Sequence, residues 1–401
     1  MFPMLDAYLY DGVRTPFGRH AGALAALRPD DMVAQLMTAL VERSPFSPEQ
    51  IEDVILGCTC QAGEDSRNVA RNALLAAGLP VTIGGQTVNR LCASGLAAVL
   101  DAARAVSCGE GELFIAGGVE SMSRAPYVLS KAGSAFGRDL QLFDSTIGAR
   151  FPNPRVSAQY GDDSMPQTGD NVAHEYGISR ARADAWALRS QQRYAQAQAA
   201  GFYDGEILPV QVPGRREALQ VVLDEHPRAD ASAESLARLK PLFRDGIVTA
   251  GNASGINDGA AALLIGSRAI GERAGARPLA RIVAGAVAGV PPRIMGIGPA
   301  YAIPKALARA GLTLADMDLI EINEAFASQV LGCLQLLGID EDDPRVNPNG
   351  GAIALGHPLG ASGARLALTA SRELARRGGR YAVLSLCIGV GQGLAVVIER
   401  V

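Results

Sequence analysis

The sequence predicts an α/β protein made of two similar halves. Three observations lead there. Apolar strand-like runs alternate with helix-like runs near both ends of the chain. Between about residues 124 and 243 that alternation gives way to prolines and long polar stretches. Short segments also recur, offset by 265 to 268 residues: Asp53-Val54-Ile55-Leu56 with Asp318-Leu319-Ile320-Glu321, Ala93-Ser94-Gly95 with Ala361-Ser362-Gly363, and Leu113-Phe114-Ile115-Ala116 with Tyr381-Ala382-Val383-Leu384. The repeat implies that each half contains a strand–helix–strand unit. It also places Cys92 and His357 in matching turns that face one interface.

Taken in order, residues 31–41 read as a helix and 51–57 as a strand. Residues 93–106 read as a helix and 113–116 as a strand. Pro126, Pro152, Pro154, Pro166, Pro209 and Pro213 then mark an insertion whose main regular element is a polar helix over 180–201. Strands resume at 260–265, 279–287, 319–322 and 381–386. The expected organisation is an N-terminal half over 1–123, an inserted region over 124–247, completion of the first half over 248–271, and a C-terminal half over 272–401.

A chain of 401 residues with 48% hydrophobic and 19% charged residues can bury a sizeable core. A net charge of −4 argues against nucleic-acid binding, which needs a large basic face. No membrane span is expected, and the first fifteen residues lack the basic flank and apolar run of a secretion signal. Six scattered cysteines are not a disulfide scaffold, so a reducing cytoplasm is the expected location. Cys58 and Cys60 lack a second pair at metal spacing, so no metal is expected and both read as packing residues. Cys108 and Cys333 have no reactive context and read as helical residues.

Three Gly-rich turns carry reactive side chains. Cys92 stands in Asn89-Arg90-Leu91-Cys92-Ala93-Ser94-Gly95, ahead of a helix. Free backbone N–H groups there favour a thiolate, which can hold an acyl group. His357, one of four histidines, lies in Gly356-His357-Pro358-Leu359-Gly360-Ala361-Ser362-Gly363. An imidazole of ordinary pKa can accept a thiol proton at neutral pH. Cys387 follows a strand in Cys387-Ile388-Gly389-Val390-Gly391-Gln392-Gly393, where Gly389 lets backbone N–H groups approach a substrate oxygen. These glycines lack the helix and downstream acid of a dinucleotide fingerprint. Asn323, in Asn323-Glu324-Ala325-Phe326, can orient a water or a carbonyl, though alone it reads as an ordinary helix start.

Together these segments resemble the thiolase family along essentially the whole chain. Residues 13–19, Gly117-Gly118-Val119-Glu120-Ser121-Met122-Ser123 and Asn252-Ala253-Ser254-Gly255-Ile256-Asn257-Asp258-Gly259 belong to the same likeness. The resemblance implies two βαβαβαββ-type halves in five αβαβα layers with an inserted loop domain. Within the family the chain is most similar to the branch that acts on 3-oxoadipyl-CoA in aromatic-compound degradation. Val390 and residues 157–172 carry that likeness, and acetyl-transferring members have histidine where Ser164 stands.

The resemblance further implies an acyl group carried on Cys92, with His357 as its base and Cys387 as the acid or base at the α-carbon. One oxyanion site would come from His357 and a water on Asn323, the other from the N–H groups of Cys92 and Gly389. Coenzyme A is implied as a substrate, with no tightly bound cofactor. Arg228 and Ser235 would meet its nucleotide end, Ser254 its pantetheine, and Met165 the thioester. Family members are usually homodimers or homotetramers. Acetyl-CoA C-acetyltransferase and fatty-acid 3-ketoacyl-CoA thiolase are the alternatives within the family. A decarboxylating condensing enzyme and a non-catalytic acyl-CoA carrier lie outside that reading. The residue that reads a terminal substrate carboxylate is not identifiable, with Arg67, Arg71 and Lys131 among the available cations.

Overall fold

Strands apolar at nearly every position need cover on both faces, and two of the long strands here, over 113–121 and 257–266, are buried from end to end. The computed structural model describes residues 5–214 and 216–401. The first part contains β1 (Ala7–Arg14), β2 (Gly18–Arg19), α1 (Pro29–Arg43), β3 (Asp53–Gly57), α2 (Val69–Ala76), β4 (Gly84–Val88), α3 (Ser94–Cys108) and β5 (Leu113–Ser121). Next come β6 (Tyr127–Leu129), β7 (Leu142–Asp144), α4 (Pro154–Tyr160), α5 (Met165–Glu175), α6 (Arg180–Ala199), β8 (Val210–Val212), β9 (Leu219–Val221) and α7 (Ala233–Ala237). The last part holds β10 (Asn257–Gly266), α8 (Arg268–Ala274), β11 (Ala280–Gly289), α9 (Gly298–Ala310), β12 (Leu319–Ile322), α10 (Ala327–Leu337), α11 (Ala352–Leu355), α12 (Leu359–Arg377), β13 (Tyr381–Ile388) and β14 (Gln392–Glu399).

One ten-stranded sheet runs β12-β13-β14-β11-β1-β10-β5-β3-β4, with β2 beside β10. None of the strands between β6 and β9 joins it; they form two separate hairpins. The repeat is visible in the pairing. β3 runs parallel to β5, and β12 runs parallel to β13. Each parallel pair is followed by an antiparallel strand, β10 in one half and β14 in the other. The halves meet where β1 pairs antiparallel with β11.

Side-chain alternation assigns the layers. Phe114 and Ala116 of β5 face the same apolar cluster as Leu384 and Leu386 of β13, with α3 and α12 between them. Leu113 and Ile115 face the opposite way, toward Met32, Leu36 and Leu40 of α1. On the far side, Val383 and Val397 meet Ile303 and Leu307 of α9 and Val330 of α10. The stack is therefore helix, sheet, helix, sheet, helix.

Most expected elements form, with shifted ends. The strand expected over 113–116 extends to Ser121, and the one over 381–386 extends to Ile388. Ala361-Ser362-Gly363 lies inside the first turn of α12, which starts at Leu359. Sequence reading placed no strand at β14, because Gln392-Gly393 continues a glycine run that reads as a turn. The apolar-length expectation also needs correcting: residues 91–108 are long and apolar enough to cross a membrane. That apolarity serves the fold, since α3 is the central helix and is covered by both sheet halves.

Candidate active site

Cys92 and His357 are set by the N-terminal ends of α3 and α12, and these two ends touch. A Cβ on Gly95 would lie 2.4 Å from the Gly360 carbonyl oxygen, and one on Gly363 would lie 2.2 Å from the Leu96 nitrogen. Only glycine permits backbones to approach that closely. Glu120, at the end of β5, ties the same region together. Its carboxylate accepts the N–H groups of Thr59, Cys60 and Gly360 at 3.1, 2.9 and 2.8 Å.

Cys92 follows Leu91, which is held at a φ of 46°, and it is half-buried as a residue. The backbone N–H groups of Gly389 and of Cys92 itself lie near its sulfur and favour its charged form. The expectation of a ready thiolate is corrected here. Burial pushes the Cys92 thiol up to about 11, outweighing those N–H groups, and the nearby Glu120 charge adds to the rise.

His357 is fixed on three sides. Its backbone N–H donates to Asn257 Oδ1 at 2.9 Å. Its Nδ1 lies 2.6 Å from Ser362 Oγ, and Ser362 Oγ donates to the Pro358 carbonyl at 2.9 Å. That carbonyl can only accept, so the serine proton goes there and Nδ1–H donates to the serine. Nε2 is left as the basic nitrogen, 3.4 Å from Asn323 Nδ2. The expectation of an ordinary imidazole pKa also fails. Burial lowers it to about 3, and the charge of Arg365 acts in the same direction. The ring is neutral at physiological pH.

Cys387 stands next to last in β13 and pairs with Gly393 of β14. Val248, Ala253, Met295, Ala325 and Phe326 pack around it. Burial raises its pKa well above the ordinary thiol value, with Cys92 as the next contributor. After Cys387 the chain turns through Val390 and Gly391, both at positive φ. This turn carries the Gly389 N–H to the Cys92 sulfur. A Cβ at Gly389 would stand 3.3 Å from Leu91 Cδ1 and 3.8 Å from Met165 Sδ. Asn323 leaves β12 and is held to β13 by its N–H on the Ser385 carbonyl at 2.9 Å.

The structure thus draws Cys92, Gly389 and Met165 into one group, with His357 against Asn323. Ser254 borders it, since its N–H donates to the Ala325 carbonyl at 2.9 Å. Arg228 and Ser235 lie on the surface and touch none of these catalytic candidates. The Arg228 guanidinium forms no ion pair among the described residues, while its backbone N–H is held by Gln191. The Ser235 hydroxyl is used within the cap of α7, where it accepts from Ser232 N–H and donates to the Ser232 carbonyl at 2.9 Å each. His226 links the two regions, because it packs over Gly255 and senses the Arg228 charge.

Cys58, Asp65 and Glu120 bring potential metal-ligand atoms close together. Their lone pairs are already engaged. Asp65 accepts from Gln61 and Gly63, Glu120 accepts as described, and the Cys58 thiol donates to Asp65. Sequence reasoning missed three residues that hold the site: Ser362, Asn257 and Glu120. All three stood inside segments singled out for their likeness to the family; the partners of Asn257 and Glu120 are remote in sequence, while Ser362 meets His357 and Pro358 only once the turn at the head of α12 has formed.

Comparison with known proteins agrees with this geometry. The thiolase N-terminal domain model matches residues 7–269, and the thiolase C-terminal domain model matches residues 276–400. The chain is 57% identical over 401 residues to the 3-oxoadipyl-CoA/3-oxo-5,6-dehydrosuberyl-CoA thiolase of Escherichia coli K12, covering 99% of this chain and 100% of that one. It is 58% identical over 398 residues to the beta-ketoadipyl-CoA thiolase of Pseudomonas aeruginosa, covering 99% of each. The acetyl-CoA acetyltransferase crystal structure from Bacillus anthracis superposes with a TM-score of 0.92 at 41% identity, covering 100% of both chains. The chain belongs to the thiolase family.

Proposed function

We propose that the protein cleaves 3-oxoadipyl-CoA with CoA, giving acetyl-CoA and succinyl-CoA. The observation that supports the chemistry is the contact between the heads of α3 and α12, beside which Cys92 and a singly protonated His357 stand, with the enclosed Cys387 close enough to Cys92 for their charges to interact. The choice of acyl chain is supported by full-length relatives named for that substrate.

His357 Nε2 takes the Cys92 proton as the sulfur attacks the 3-oxo carbon. The C2–C3 bond breaks, and its electron pair becomes the enolate of acetyl-CoA. Cys387, kept protonated by its apolar surroundings, supplies the proton at C2. The incoming CoA thiol then attacks the succinyl thioester on Cys92 and regenerates the free cysteine. In this reading the N–H groups of Cys92 and Gly389 receive one developing oxyanion. His357 and a water on Asn323 receive the other. Loss of one such donor costs about 3–4 kcal/mol of barrier.

The segment over 124–247 is read as the CoA-binding part, with Arg228 and Ser235 at the nucleotide end and Ser254 and Met165 along the thiol arm. The chain is read as a cytoplasmic homodimer or homotetramer, which light scattering on the purified protein tests. For the reaction itself, kcat/KM is compared among 3-oxoadipyl-CoA, acetoacetyl-CoA and a long-chain 3-oxoacyl-CoA. The dicarboxylic substrate is expected to lead. Preference for either of the other two would replace this reading with acetyl transfer or fatty-acid thiolysis.

A further inference from the structure

A substrate with a terminal carboxylate brings a negative charge toward an enclosed cavity, and such a charge needs a cation. On acyl-Cys92 that carboxylate is the fourth carbon from the sulfur, so its partner must border the Cys92 turn. Three cations of this region are already committed, while Arg90, beside Cys92 in the chain, makes no side-chain hydrogen bond or ion pair among the described residues and serves as the control below. Arg124 is paired with Glu64, and Arg293 with Asp163. Arg71 turns away to the carbonyls of Ile83 and Val81. Arg67 and Lys131 are exposed and make no side-chain hydrogen bond among the described residues.

Arg150 differs. Its Nη1 donates to the Cys60 carbonyl at 2.9 Å, and no acid among the described residues neutralises it. Cys60 lies at the seam of the site. Its own N–H is held by Glu120, which also holds Gly360 at the head of α12. The neighbouring Thr59 carbonyl accepts the side-chain amide of Asn89, three residues before Cys92. The loop bearing Arg150 is anchored there a second time by Ser145 Oγ, 3.6 Å from Cys60 Sγ. Phe151 packs on Phe143 with ring centres 4.7 Å apart. The inserted segment therefore clamps the loop after β3 and holds an unneutralised guanidinium on Cys60, whose neighbours Thr59 and Glu120 contact the Cys92 turn and the head of α12.

We propose that Arg150 is the specificity residue for dicarboxylic 3-oxoacyl-CoA substrates: one Nη is tethered to the Cys60 carbonyl, and the remaining N–H groups receive the substrate's terminal carboxylate. This rests on the thiolase reading above and deepens it. Planar N–H pairs match a carboxylate in a way that an ammonium does not.

The test compares thiolysis of 3-oxoadipyl-CoA with that of 3-oxohexanoyl-CoA, which has the same chain length without the acid. Wild type, Arg150→Gln, Arg150→Lys and Arg90→Gln are measured as full-length protein. Arg150→Gln is expected to lower kcat/KM for 3-oxoadipyl-CoA by about 100-fold while leaving 3-oxohexanoyl-CoA within about threefold. Arg150→Lys is expected to recover part of the loss. Equal losses on both substrates, accompanied by a lower melting temperature, would make Arg150 a clamp only and overturn the proposal. An unchanged ratio, or selectivity lost in Arg90→Gln instead, would overturn it as well. Wild-type enzyme inactive on 3-oxoadipyl-CoA but active on 3-oxohexanoyl-CoA would remove the substrate reading itself, and the proposal with it.

Discussion

The site at rest holds two thiols and an imidazole that are all uncharged. Burial keeps Cys92 and Cys387 protonated and His357 unprotonated, and the backbone N–H groups around Cys92 do not reverse this. Charge therefore develops only as bonds to the substrate form, where donors are already aimed. Cys92→Ala is expected to reduce turnover by at least about 10⁴-fold with CoA affinity retained, because no other residue can carry the acyl group. Steady-state kinetics and calorimetric CoA titration check this together. Cys387→Ala is expected to let an activated thioester acylate Cys92, visible by mass spectrometry, while carbon–carbon cleavage is lost. Failure of both steps would make Cys387 structural. The buried imidazole also has a stability consequence. A folded-state pKa near 3 lies below the unfolded value of 6.5, so unfolding takes up a proton between those limits. The contribution from His357 is complete above pH 6.5 and is lost as pH falls toward 3. His357→Asn should therefore show a shallower loss of unfolding free energy on acidification, by up to about 1.4 kcal/mol per pH unit. Denaturant titrations from pH 7 to 4 measure the difference.

Among the elements, α3 and α12 decide where the chemistry occurs. Each begins beside a reactive residue, and their contact depends on absent side chains at Gly95 and Gly363. Gly95→Ala forces a Cβ against the backbone of the partner helix. Overpacking of this kind typically costs about 1–3 kcal/mol. The two helix ends must also move apart, so the catalytic rate should fall further than stability alone accounts for. A thermal melt and kcat on the same preparation separate the effects, and a variant with full activity would show that the contact is not what registers the site. The β13–β14 hairpin is the second deciding element. It carries Cys387 on one arm, and its turn, with Val390 at a φ of 64°, presents the Gly389 N–H to the Cys92 sulfur.

At the scale of the molecule, the inserted segment is locked to the sheet by one buried charge cluster. Arg14 of β1 reaches Glu206 and Asp224, each at 2.6 Å, with all three side chains fully enclosed. Tyr194 of α6 donates to Asp224 at 3.1 Å, and Thr369 of α12 donates to Glu206 at the same distance. Removing one member leaves buried charge without compensation. Arg14→Ala is accordingly expected to cost about 3–5 kcal/mol of stability, read from denaturant unfolding. Loss of under 1 kcal/mol would mean that the segment's other ties, such as Trp186 and Ser190 donating to Glu324, suffice to hold it.

The sequence by itself determined the two-halved α/β plan, the insertion, and the three turns bearing Cys92, His357 and Cys387. These are local matters: apolar periodicity sets elements, and glycine and proline set turns wherever they occur. The same local reading gave a thiolate at Cys92 and an ordinary histidine at His357, and missed β14 within a glycine run. Only the tertiary structure decided protonation, because burial depends on which layers close over a residue. It also decided which nitrogen of His357 is the base, through the Ser362–Pro358 relay, and placed Arg150 beside Cys60. The closing layers and the Arg150 contact join segments tens to hundreds of residues apart, for which spacing along the chain carries no signal, while the relay spans only residues 357–362 and needs the folded turn at the head of α12 to bring Ser362 Oγ onto Nδ1.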